Sequence, residues 1–207
     1  MDLKYLMPVI AYLLGSIPVG WIVARLFYQK DIRTEGSGNI GATNALRIFG
    51  TKVGLIVLIL DMLKGIIAVL LARHLFSAEH PLVALCGLLA ILGHIFPVWL
   101  RFKGGKGVAT AGGVFLALSP LSLLIALISF VLIVAKTRYV SLGSIIGSLI
   151  FGLSIVVQQL TKDGVNWALL ALTGIVVLMI IIKHRQNIQR LWQGRENKIS
   201  FKKKGKS

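Results

Sequence analysis

Long apolar stretches recur along almost the whole chain, and they restrict its possible folds more than any other feature. Five of them cover residues 3–27, 53–75, 82–100, 141–160 and 165–183. Each is close to the ~20 residues that an α-helix needs to cross the ~30 Å hydrocarbon core of a bilayer. Water-soluble domains contain about 45–50% apolar residues, whereas this chain contains 56% and has a mean hydropathy of +0.84. The sequence therefore predicts an integral membrane protein.

Residues 108–135 form a sixth apolar stretch, which Ser119 and Pro120 interrupt. It forms either one kinked crossing or a hairpin of two short helices, because at 1.5 Å per residue the first piece reaches only about 18 Å. With a hairpin and an outside N-terminus, 18 Lys and Arg residues fall on the inner side and three on the outer side. A single crossing would instead put either the basic tail or the first two basic loops on the outer side of the membrane. Because positive loops favour the cytoplasmic side, we predict an all-α fold of about seven transmembrane helices, N-terminus out and C-terminus in.

Residues 1–200 are predicted to form a single membrane domain, and residues 201–207 a disordered basic tail. The formal net charge of +16 would suggest nucleic-acid binding in a soluble protein. Here most cations lie between apolar runs or in the tail, where anionic lipid and anionic substrates explain them better. The only cysteine, Cys86, lies within an apolar run, and no Cys/His spacing indicates zinc. We therefore expect no nucleic-acid partner, no metal site and no cofactor.

The first predicted inner loop, residues 35–47, is rich in glycine and in hydrogen-bonding side chains. Its glycines let the backbone bend closely around a ligand, and Arg47 adds a planar guanidinium suited to a phosphate. The alternative is an ordinary turn between two spans, although the connection is much longer than a turn needs. The candidate ligand-binding residues of this loop are Ser37, Asn39, Thr43, Asn44 and Arg47.

The second predicted inner loop places three glycines around a lysine directly before a short helix. Backbone N–H groups and the positive end of a helix together favour phosphate binding. No glycine stands five residues before Gly105, so the loop is not a nucleotide-binding P-loop. His94, upstream of it, is either a site residue or a buried, hydrogen-bonded helix histidine. The candidate phosphate-binding residues here are Lys103, Gly104, Gly105, Lys106, Gly107 and Thr110.

Two further polar groups lie at the same predicted side of the membrane. His184 and Asn187 follow the last span and would share a helix face; the alternative is a basic interfacial helix with an incidental histidine. Asp61 and Lys64 lie one helical turn apart in the second span. Ionisable groups at membrane depth are costly unless they are paired, so we predict a mutual ion pair that either lines the site or is purely structural.

Together these segments resemble the bacterial acyl-phosphate:glycerol-3-phosphate acyltransferase family over nearly the whole chain. The resemblance depends on five stretches in order: GSIPVGWIVARLF (15–27), GSGNIGATNALR (36–47), LDMLKG (60–65), GHIFPVWLRFKGGKGVAT (93–110) and KHRQNIQRLWQGRE (183–196). It implies transfer of a fatty acyl group from acyl phosphate to the 1-hydroxyl of glycerol 3-phosphate. The products are 1-acyl-glycerol 3-phosphate and inorganic phosphate, in the first acylation of phospholipid synthesis.

The resemblance also implies roles for individual residues. Ser37 and Arg47, and His184 and Asn187, correspond to residues that the family needs for activity. The loop from Gly104 to Gly107 corresponds to its glycerol-phosphate site, and Glu196 to a residue that supports structure. We expect a monomer in the bacterial cytoplasmic (inner) membrane, with the active site facing the cytoplasm and membrane lipid around it.

The chemistry of the residues agrees with this reaction. Acyl phosphate is a mixed anhydride, already activated, so no enzyme nucleophile and no acyl-enzyme intermediate are expected. Orientation and fixed positive charge would be the main contributions. The general base is either His184, with an ordinary pKa of about 6.5, or a phosphate oxygen of the substrate, which we favour. The alternative function is a transporter of a phosphorylated metabolite, whose site would lie near the midplane of the membrane.

Overall fold

A computed structural model describes residues 6–78 and 80–199 of the protein. These residues hold ten α-helices: α1 (Met7–Ser16), α2 (Val19–Tyr28), α3 (Ala42–Phe49), α4 (Thr51–Leu75), α5 (Pro81–Ile95), α6 (Val108–Leu118), α7 (Pro120–Thr137), α8 (Val140–Leu160), α9 (Trp167–Lys183) and α10 (Arg185–Trp192). Short 3₁₀ turns cover Ile32–Thr34 and Val98–Leu100. The predicted basic tail, residues 201–207, lies outside the described residues.

Most of these helices belong to segments that are long and apolar enough to cross a membrane. Five candidate spans occur in the described residues: Met7–Tyr28, Thr51–Leu75, Pro81–Leu100, Pro120–Thr137 and Val140–Leu160. Helices α9 and α10 together make a sixth, broken by a 52° bend, and α6 is a shorter apolar helix. The predicted all-α membrane fold is confirmed. The second piece of the interrupted stretch is longer than expected, since α7 has 18 residues and is itself a candidate span.

Ser119 separates α6 from α7 and marks one end of the helix bundle. Its hydroxyl donates to Gln158, near the end of α8, at 3.2 Å. Arg73, near the end of α4, donates to the Ala117 carbonyl at 3.0 Å. The ends of α4 and α8 therefore lie at the same level as the junction between α6 and α7.

The opposite ends of α6 and α7 both meet the C-terminal part of the chain. Lys106, just before α6, donates to Asn187 at 2.6 Å. The carbonyl of Arg138, just after α7, accepts from the Ile199 N–H at 2.9 Å. The chain thus enters α6 and leaves α7 at one end of the bundle, as the predicted hairpin requires. The same arrangement brings the three polar segments to that end.

Pro18 interrupts the first span and exposes a backbone carbonyl to a partner inside the bundle. Proline has no N–H and cannot continue the hydrogen-bond pattern of a helix, so α1 ends at Ser16 and α2 begins at Val19. The Ile17 carbonyl accepts from the Val19 N–H at 3.0 Å and from the Lys64 ammonium at 3.0 Å. The break therefore supplies part of the environment of a buried charge.

Helices α4 and α6 touch through glycines, which brings the loop before α6 close to α4. A Cβ atom on Gly65 would lie 2.4 Å from the carbonyl oxygen of Thr110. One on Gly113 would lie 1.9 Å from the carbonyl oxygen of Met62. Real side chains cannot approach backbone atoms so closely, so only glycine allows this contact.

A separate cluster of buried apolar side chains supports the first inner loop. It joins α2, the loop and α3 to the start of α4 and to the turn before the second loop. Burial of apolar surface on both sides of the loop fixes its path over the bundle end. The members of this cluster are Val19, Ala24, Ile32, Ile40, Ala45, Val53, Val57 and Leu100.

Candidate active site

The three polar segments meet around a cleft of about 190 Å³. Residues of the first loop, the second loop and the junction of α9 with α10 line it. Four cationic side chains contribute to this lining, which makes the cleft suited to an anion. The lining residues are Ser37, Gly38, Asn39, Gly104, Lys106, Lys183, Arg185, Gln186, Asn187 and Arg190.

Asn44 organises the first loop. Its side-chain oxygen accepts from the Ser37 N–H at 2.8 Å. Its amide nitrogen lies within 2.9–3.2 Å of three carbonyl oxygens, those of Ile32, Glu35 and Asn39. The side chain is only 2% exposed, and both of its N–H hydrogens have backbone acceptors. Asn44 therefore shapes the loop from beneath, whereas the sequence predicts that it contacts a ligand directly.

The loop turns through two glycines with left-handed backbone conformations, Gly36 at φ 60° and Gly38 at φ 69°. Between them the side chain of Ser37 is exposed and lines the cleft. Asn39 also lines the cleft, and its side-chain oxygen accepts from the Gly41 N–H at 2.8 Å. Thr43 is half-buried in the first turn of α3 and is not among the lining residues.

Arg47 lies beside the cleft rather than in its lining. Its guanidinium donates to the Asn197 carbonyl at 3.2 Å, while its Nε is buried and has no hydrogen-bond partner among the described residues. Burial lowers the pKa of Arg47; the carboxylate of Glu196 opposes this change and the charge of Arg190 adds to it. Arg47 therefore contributes positive charge close to Lys106, whose pKa it helps to lower.

Two glycine N–H groups of the second loop donate hydrogen bonds to carbonyls of the protein itself. The N–H groups of Gly104 and Gly105 donate to the carbonyls of Ile95 and His94, at 3.2 and 3.0 Å. This differs from the expectation that these amides point at a phosphate, because the open last turn of α5 needs donors for its carbonyls. The loop presents the surface of Gly104 and the side chain of Lys106 to the cleft instead.

The remaining predicted residues of this loop take different positions. Gly107 has φ 84° and directly precedes α6. Lys103 is exposed and is not among the lining residues. Thr110 is fully buried, and within residues 6–78 and 80–199 its hydroxyl has no hydrogen-bond partner. The cleft therefore includes Gly104 and Lys106 but neither Lys103 nor Thr110.

A chain of hydrogen bonds leads from Lys106 through Asn187 to Glu196. The Lys106 ammonium donates to the Asn187 side-chain oxygen at 2.6 Å, and the Asn187 amide donates to Glu196 at 2.7 Å. Glu196 also accepts from Ser141 at 2.9 Å and from Arg190 at 2.8 Å. The carboxylate thereby holds α8, α10 and the C-terminal segment together.

The electrostatics of the residues that these hydrogen bonds connect favour an incoming anion. Burial lowers the pKa of Lys106 to about 8; Glu196 opposes this change, and the positive charges of Arg190, Arg47 and Lys183 add to it. Burial alone would raise the pKa of Glu196, but hydrogen bonds from Arg190, Asn187 and Ser141 lower it below its usual value. At neutral pH the cleft is therefore rich in positive charge, and the Glu196 carboxylate beside it is already paired.

His184 lies at the bend between α9 and α10 and is 2% exposed. Its Nδ1 lies 2.8 Å from the carbonyl oxygen of Ile180. A carbonyl can only accept, so Nδ1 carries the proton and Nε2 of the neutral ring keeps a lone pair. His184 does not itself line the cleft, but Lys183 and Arg185 on either side of it do.

The predicted ion pair between Asp61 and Lys64 is confirmed, and it is fully enclosed. The Lys64 ammonium lies 2.7 Å from an Asp61 carboxylate oxygen and 2.9 Å from Nδ1 of His94. The three side chains are 1–4% exposed and none lines the cleft. His94 is thus a buried, hydrogen-bonded histidine whose ring supports the second loop, because a Cβ on Gly105 would lie 2.0 Å from its Nε2.

Sequence reasoning did not select four polar residues that line the cleft: Lys183, Arg185, Gln186 and Arg190. All four lie in the segment that contains His184 and Asn187, and three are cationic. The excess of basic residues in that segment is a usable signal, but it does not distinguish residues that meet anionic lipid from residues that meet an anionic substrate. Within residues 6–78 and 80–199, no group of three or more His, Cys, Asp or Glu side chains is arranged to hold a metal ion.

A bundle of membrane-crossing helices with a cationic cleft at one end defines an integral membrane protein suited to phosphate-bearing ligands. The family model described as glycerol-3-phosphate acyltransferase matches residues 5–194. The chain belongs to this glycerol-3-phosphate acyltransferase family. Membership of this family confirms the predicted class of activity, which is acyl transfer to glycerol 3-phosphate by an integral membrane enzyme.

Individual relatives and structures agree with this assignment. The chain is 51% identical to glycerol-3-phosphate acyltransferase 2 of Bacillus anthracis over 191 residues, which cover 92% of this chain and 96% of the relative. It is 52% identical to the glycerol-3-phosphate acyltransferase of Geotalea daltonii over 187 residues, covering 90% and 93%. The crystal structure of PlsY, an integral membrane glycerol 3-phosphate acyltransferase, in its glycerol 3-phosphate form matches with a TM-score of 0.88 and 41% identity, covering 95% and 96%. Its lysophosphatidic acid form matches with a TM-score of 0.85 and 39% identity, covering 96% of each chain.

Proposed function

We propose that the enzyme transfers a fatty acyl group from acyl phosphate to the 1-hydroxyl of glycerol 3-phosphate, giving lysophosphatidate and inorganic phosphate. The cationic cleft is the observation that carries this proposal, since both substrates bring a phosphate and the donor also leaves one. The similar crystal structures in their glycerol 3-phosphate and lysophosphatidic acid forms support the acceptor and the product.

The reaction needs little covalent chemistry from the protein. The glycerol hydroxyl oxygen attacks the acyl carbon, the bond from that carbon to the phosphate oxygen breaks, and phosphate leaves. Lys106, Arg185 and Arg190 line the cleft and would stabilise the negative charge that develops on the leaving phosphate. Ser37, exposed in the lining, would hydrogen-bond a phosphate or the developing oxyanion.

A phosphate oxygen of the substrate would accept the hydroxyl proton. His184 has the required lone pair on Nε2, but it does not line the cleft, so its main role would be to hold the junction of α9 and α10. Replacing His184 by Gln keeps much of the hydrogen-bonding capacity and removes the titrating ring. We expect substantial turnover to remain in His184→Gln; near-complete loss of turnover with intact glycerol 3-phosphate binding would assign the base to His184.

Asn187, Glu196 and Arg47 would act around the bound phosphates rather than on the acyl carbon. Asn187 holds the Lys106 ammonium and Glu196 holds Asn187, so both set where the positive charge lies. Arg47 lies close enough to Lys106 to lower its pKa and would add positive charge beside the cleft. The buried pair of Asp61 and Lys64, with His94, would support the second loop from within the bundle.

The donor is tested with purified protein in detergent, supplied with glycerol 3-phosphate and either acyl phosphate or the corresponding acyl-coenzyme A. We expect equal amounts of inorganic phosphate and lysophosphatidate with acyl phosphate only. Absence of coupled release would reject acyl phosphate as the donor. In the same assay Lys106→Met should mainly raise the KM for glycerol 3-phosphate, and an unchanged KM would remove Lys106 from the acceptor site.

We also propose that the cleft faces the cytoplasm, in the inner membrane of a bacterium. The excess of Lys and Arg at the cleft end of the bundle supports this orientation. The fully buried Cys86 leaves a low background for labelling of introduced cysteines. In intact spheroplasts an impermeant maleimide should label Lys162→Cys, at the far end, and spare Lys103→Cys, near the cleft. The opposite labelling pattern would reverse the orientation.

A further inference from the structure

The turn that follows α5, residues 96–103, exposes aromatic and cationic side chains next to one another. Trp99 is 60% exposed and Phe102 is 59% exposed. Arg101 and Lys103, which alternate with them along the chain, are exposed as well. This aromatic turn therefore offers a mixed apolar and cationic surface to whatever surrounds the protein.

Contacts within the protein fix the shape of the aromatic turn. Leu100 is 6% exposed and packs into the buried cluster that supports the first loop. The Phe102 N–H donates to the Pro97 carbonyl at 2.9 Å. Arg101 and Phe102 have left-handed backbone conformations, with φ 52° and 61°. Such conformations are uncommon for residues other than glycine and persist where the surroundings hold them, so the turn presents a defined surface.

The aromatic turn stands at the level where the hydrocarbon of a membrane gives way to water. The candidate span Pro81–Leu100 ends within it, and the first Lys or Arg residues after that span are Arg101 and Lys103. Tryptophan is enriched at membrane–water interfaces, because an apolar ring with a polar N–H fits there. Cations at the same level are attracted to anionic lipid. The headgroup layer at the cleft end of the bundle therefore matches both parts of this surface.

Two contacts connect the aromatic turn to the cationic cleft. Gly104 lines the cleft and follows the turn directly, and its N–H donates to the Ile95 carbonyl, just before the turn, at 3.2 Å. The Lys183 ammonium, which belongs to another residue of the lining, lies 5.0 Å from the centre of the Phe96 ring. A displacement of the turn would therefore move the backbone next to Lys106.

We infer that the aromatic turn is a docking site for the headgroups of anionic phospholipids, and that this docking holds the second loop in its active position. Arg101 and Lys103 would meet lipid phosphates, while Trp99 and Phe102 would insert between the headgroups. Attraction of one Lys or Arg to an anionic membrane surface changes an equilibrium about fivefold. Anionic phospholipid would thus raise the activity through a surface outside the cleft, which goes beyond the acyl transfer proposed above.

The lipid dependence is tested in nanodiscs of phosphatidylcholine alone and of phosphatidylcholine mixed with phosphatidylglycerol. An anionic surface also repels glycerol 3-phosphate, and it does so in every variant. The quantity to compare is therefore the change in kcat/KM for glycerol 3-phosphate between the two compositions, at saturating donor. We expect this change to be about fivefold less favourable in Arg101→Gln than in the wild-type enzyme.

The matched control is Lys52→Gln, which removes another exposed cation at the same end of the bundle, in the first turn of α4. This variant should respond to phosphatidylglycerol as the wild-type enzyme does. An equal response of Arg101→Gln and the wild-type enzyme, or the same loss in the control, would overturn the inference.

A second measurement locates the aromatic turn without any turnover. Replacing Trp21, Trp167 and Trp192 by Phe leaves Trp99 as the only tryptophan of the chain. In anionic nanodiscs, phospholipid brominated near the headgroup should quench the fluorescence of Trp99 more than phospholipid brominated at the chain end, and iodide in the water should quench it weakly. If the triple replacement does not fold, the difference between the wild-type protein and Trp99→Phe gives the same comparison.

Two quenching patterns would overturn the inference. Strong quenching by iodide and none by brominated lipid would place the turn in water, where it could meet a soluble protein. Equal or stronger quenching from the chain end would make the turn an ordinary hydrocarbon-facing surface. Failure of acyl phosphate to react in either type of nanodisc would instead reject the proposed donor, and it would leave the quenching result unaffected.

Discussion

Replacing Gly105 by alanine places a methyl group where the ring of His94 already lies. The new Cβ would be 2.0 Å from Nε2 of His94, whereas real Cβ atoms essentially never come within 3.0 Å of such an atom, so the loop or the ring must move by at least 1.0 Å. The ring cannot yield easily, because it is 4% exposed and its Nδ1 lies 2.9 Å from the buried Lys64 ammonium.

The loop is therefore the part that moves, and it carries Lys106 with it. A misplacement of about 1 Å can cost about 100-fold in rate, which corresponds to about 2.7 kcal/mol of activation free energy. For Gly105→Ala we expect kcat/KM for glycerol 3-phosphate to fall by about that factor. Thermal stability should change much less, because the charges in the bundle stay paired.

The assay is steady-state release of phosphate by purified protein at saturating donor, with the thermal midpoint measured in parallel. The matched control is Gly112→Ala on α6, where a new Cβ would lie 3.9 Å from its nearest neighbour, Met62 Cε. This control should retain wild-type activity. In a His94→Ala background, where the ring is absent, Gly105→Ala should cost clearly less than in the wild-type enzyme.

Two results would refute this reasoning. One is wild-type kcat/KM in Gly105→Ala, which would show that the position of the loop does not control the reaction. The other is an equal effect of Gly105→Ala with and without the His94 ring, which would place the steric conflict elsewhere.

Three further predictions concern the chain of hydrogen bonds and the first loop. Because the pKa of Lys106 is lowered to about 8, its ammonium is lost as pH rises through 8, so the KM for glycerol 3-phosphate should rise on the alkaline side. In Lys106→Arg this rise should disappear from pH–KM profiles, and its persistence would assign it to another group. Glu196→Gln removes the charged acceptor of Arg190 and should lower the free energy of unfolding by about 2 kcal/mol. Denaturation should show no comparable loss for Glu35→Gln, whose partner Lys30 is half-exposed. Asn44→Ala removes the hydrogen bonds that shape the first loop and should lower kcat/KM about tenfold or more, as kinetics can check; an activity near wild type would show that the loop keeps its shape without them.

Much of the architecture could be predicted because it depends on local properties of the chain. The length of each apolar run sets the number of spans, and Pro120 sets where the interrupted stretch breaks. The distribution of Lys and Arg selected the hairpin, which the contacts of Lys106 and Arg138 at one end of the bundle confirm. The spacing of Asp61 and Lys64 was enough to predict their ion pair, because residues three apart share a face of any helix.

The details of the site could not be predicted in the same way. The amides of Gly104 and Gly105 appeared available for a phosphate, but the last turn of α5 takes both of them. Asn44 resembled a ligand-binding residue, although it holds the loop from within. Both differences concern hydrogen-bond partners that come from another turn or helix, which residue type alone cannot reveal.

The sequence by itself determined that this chain crosses a membrane several times and carries polar, phosphate-suited segments between its spans, since hydropathy and charge act over a few consecutive residues. Only the tertiary structure decided which groups face the cleft and how Glu196 ties Asn187 to Arg190. Those features depend on how closely particular helices approach one another, and that distance is set by side chains far apart in the chain that meet only when the bundle packs.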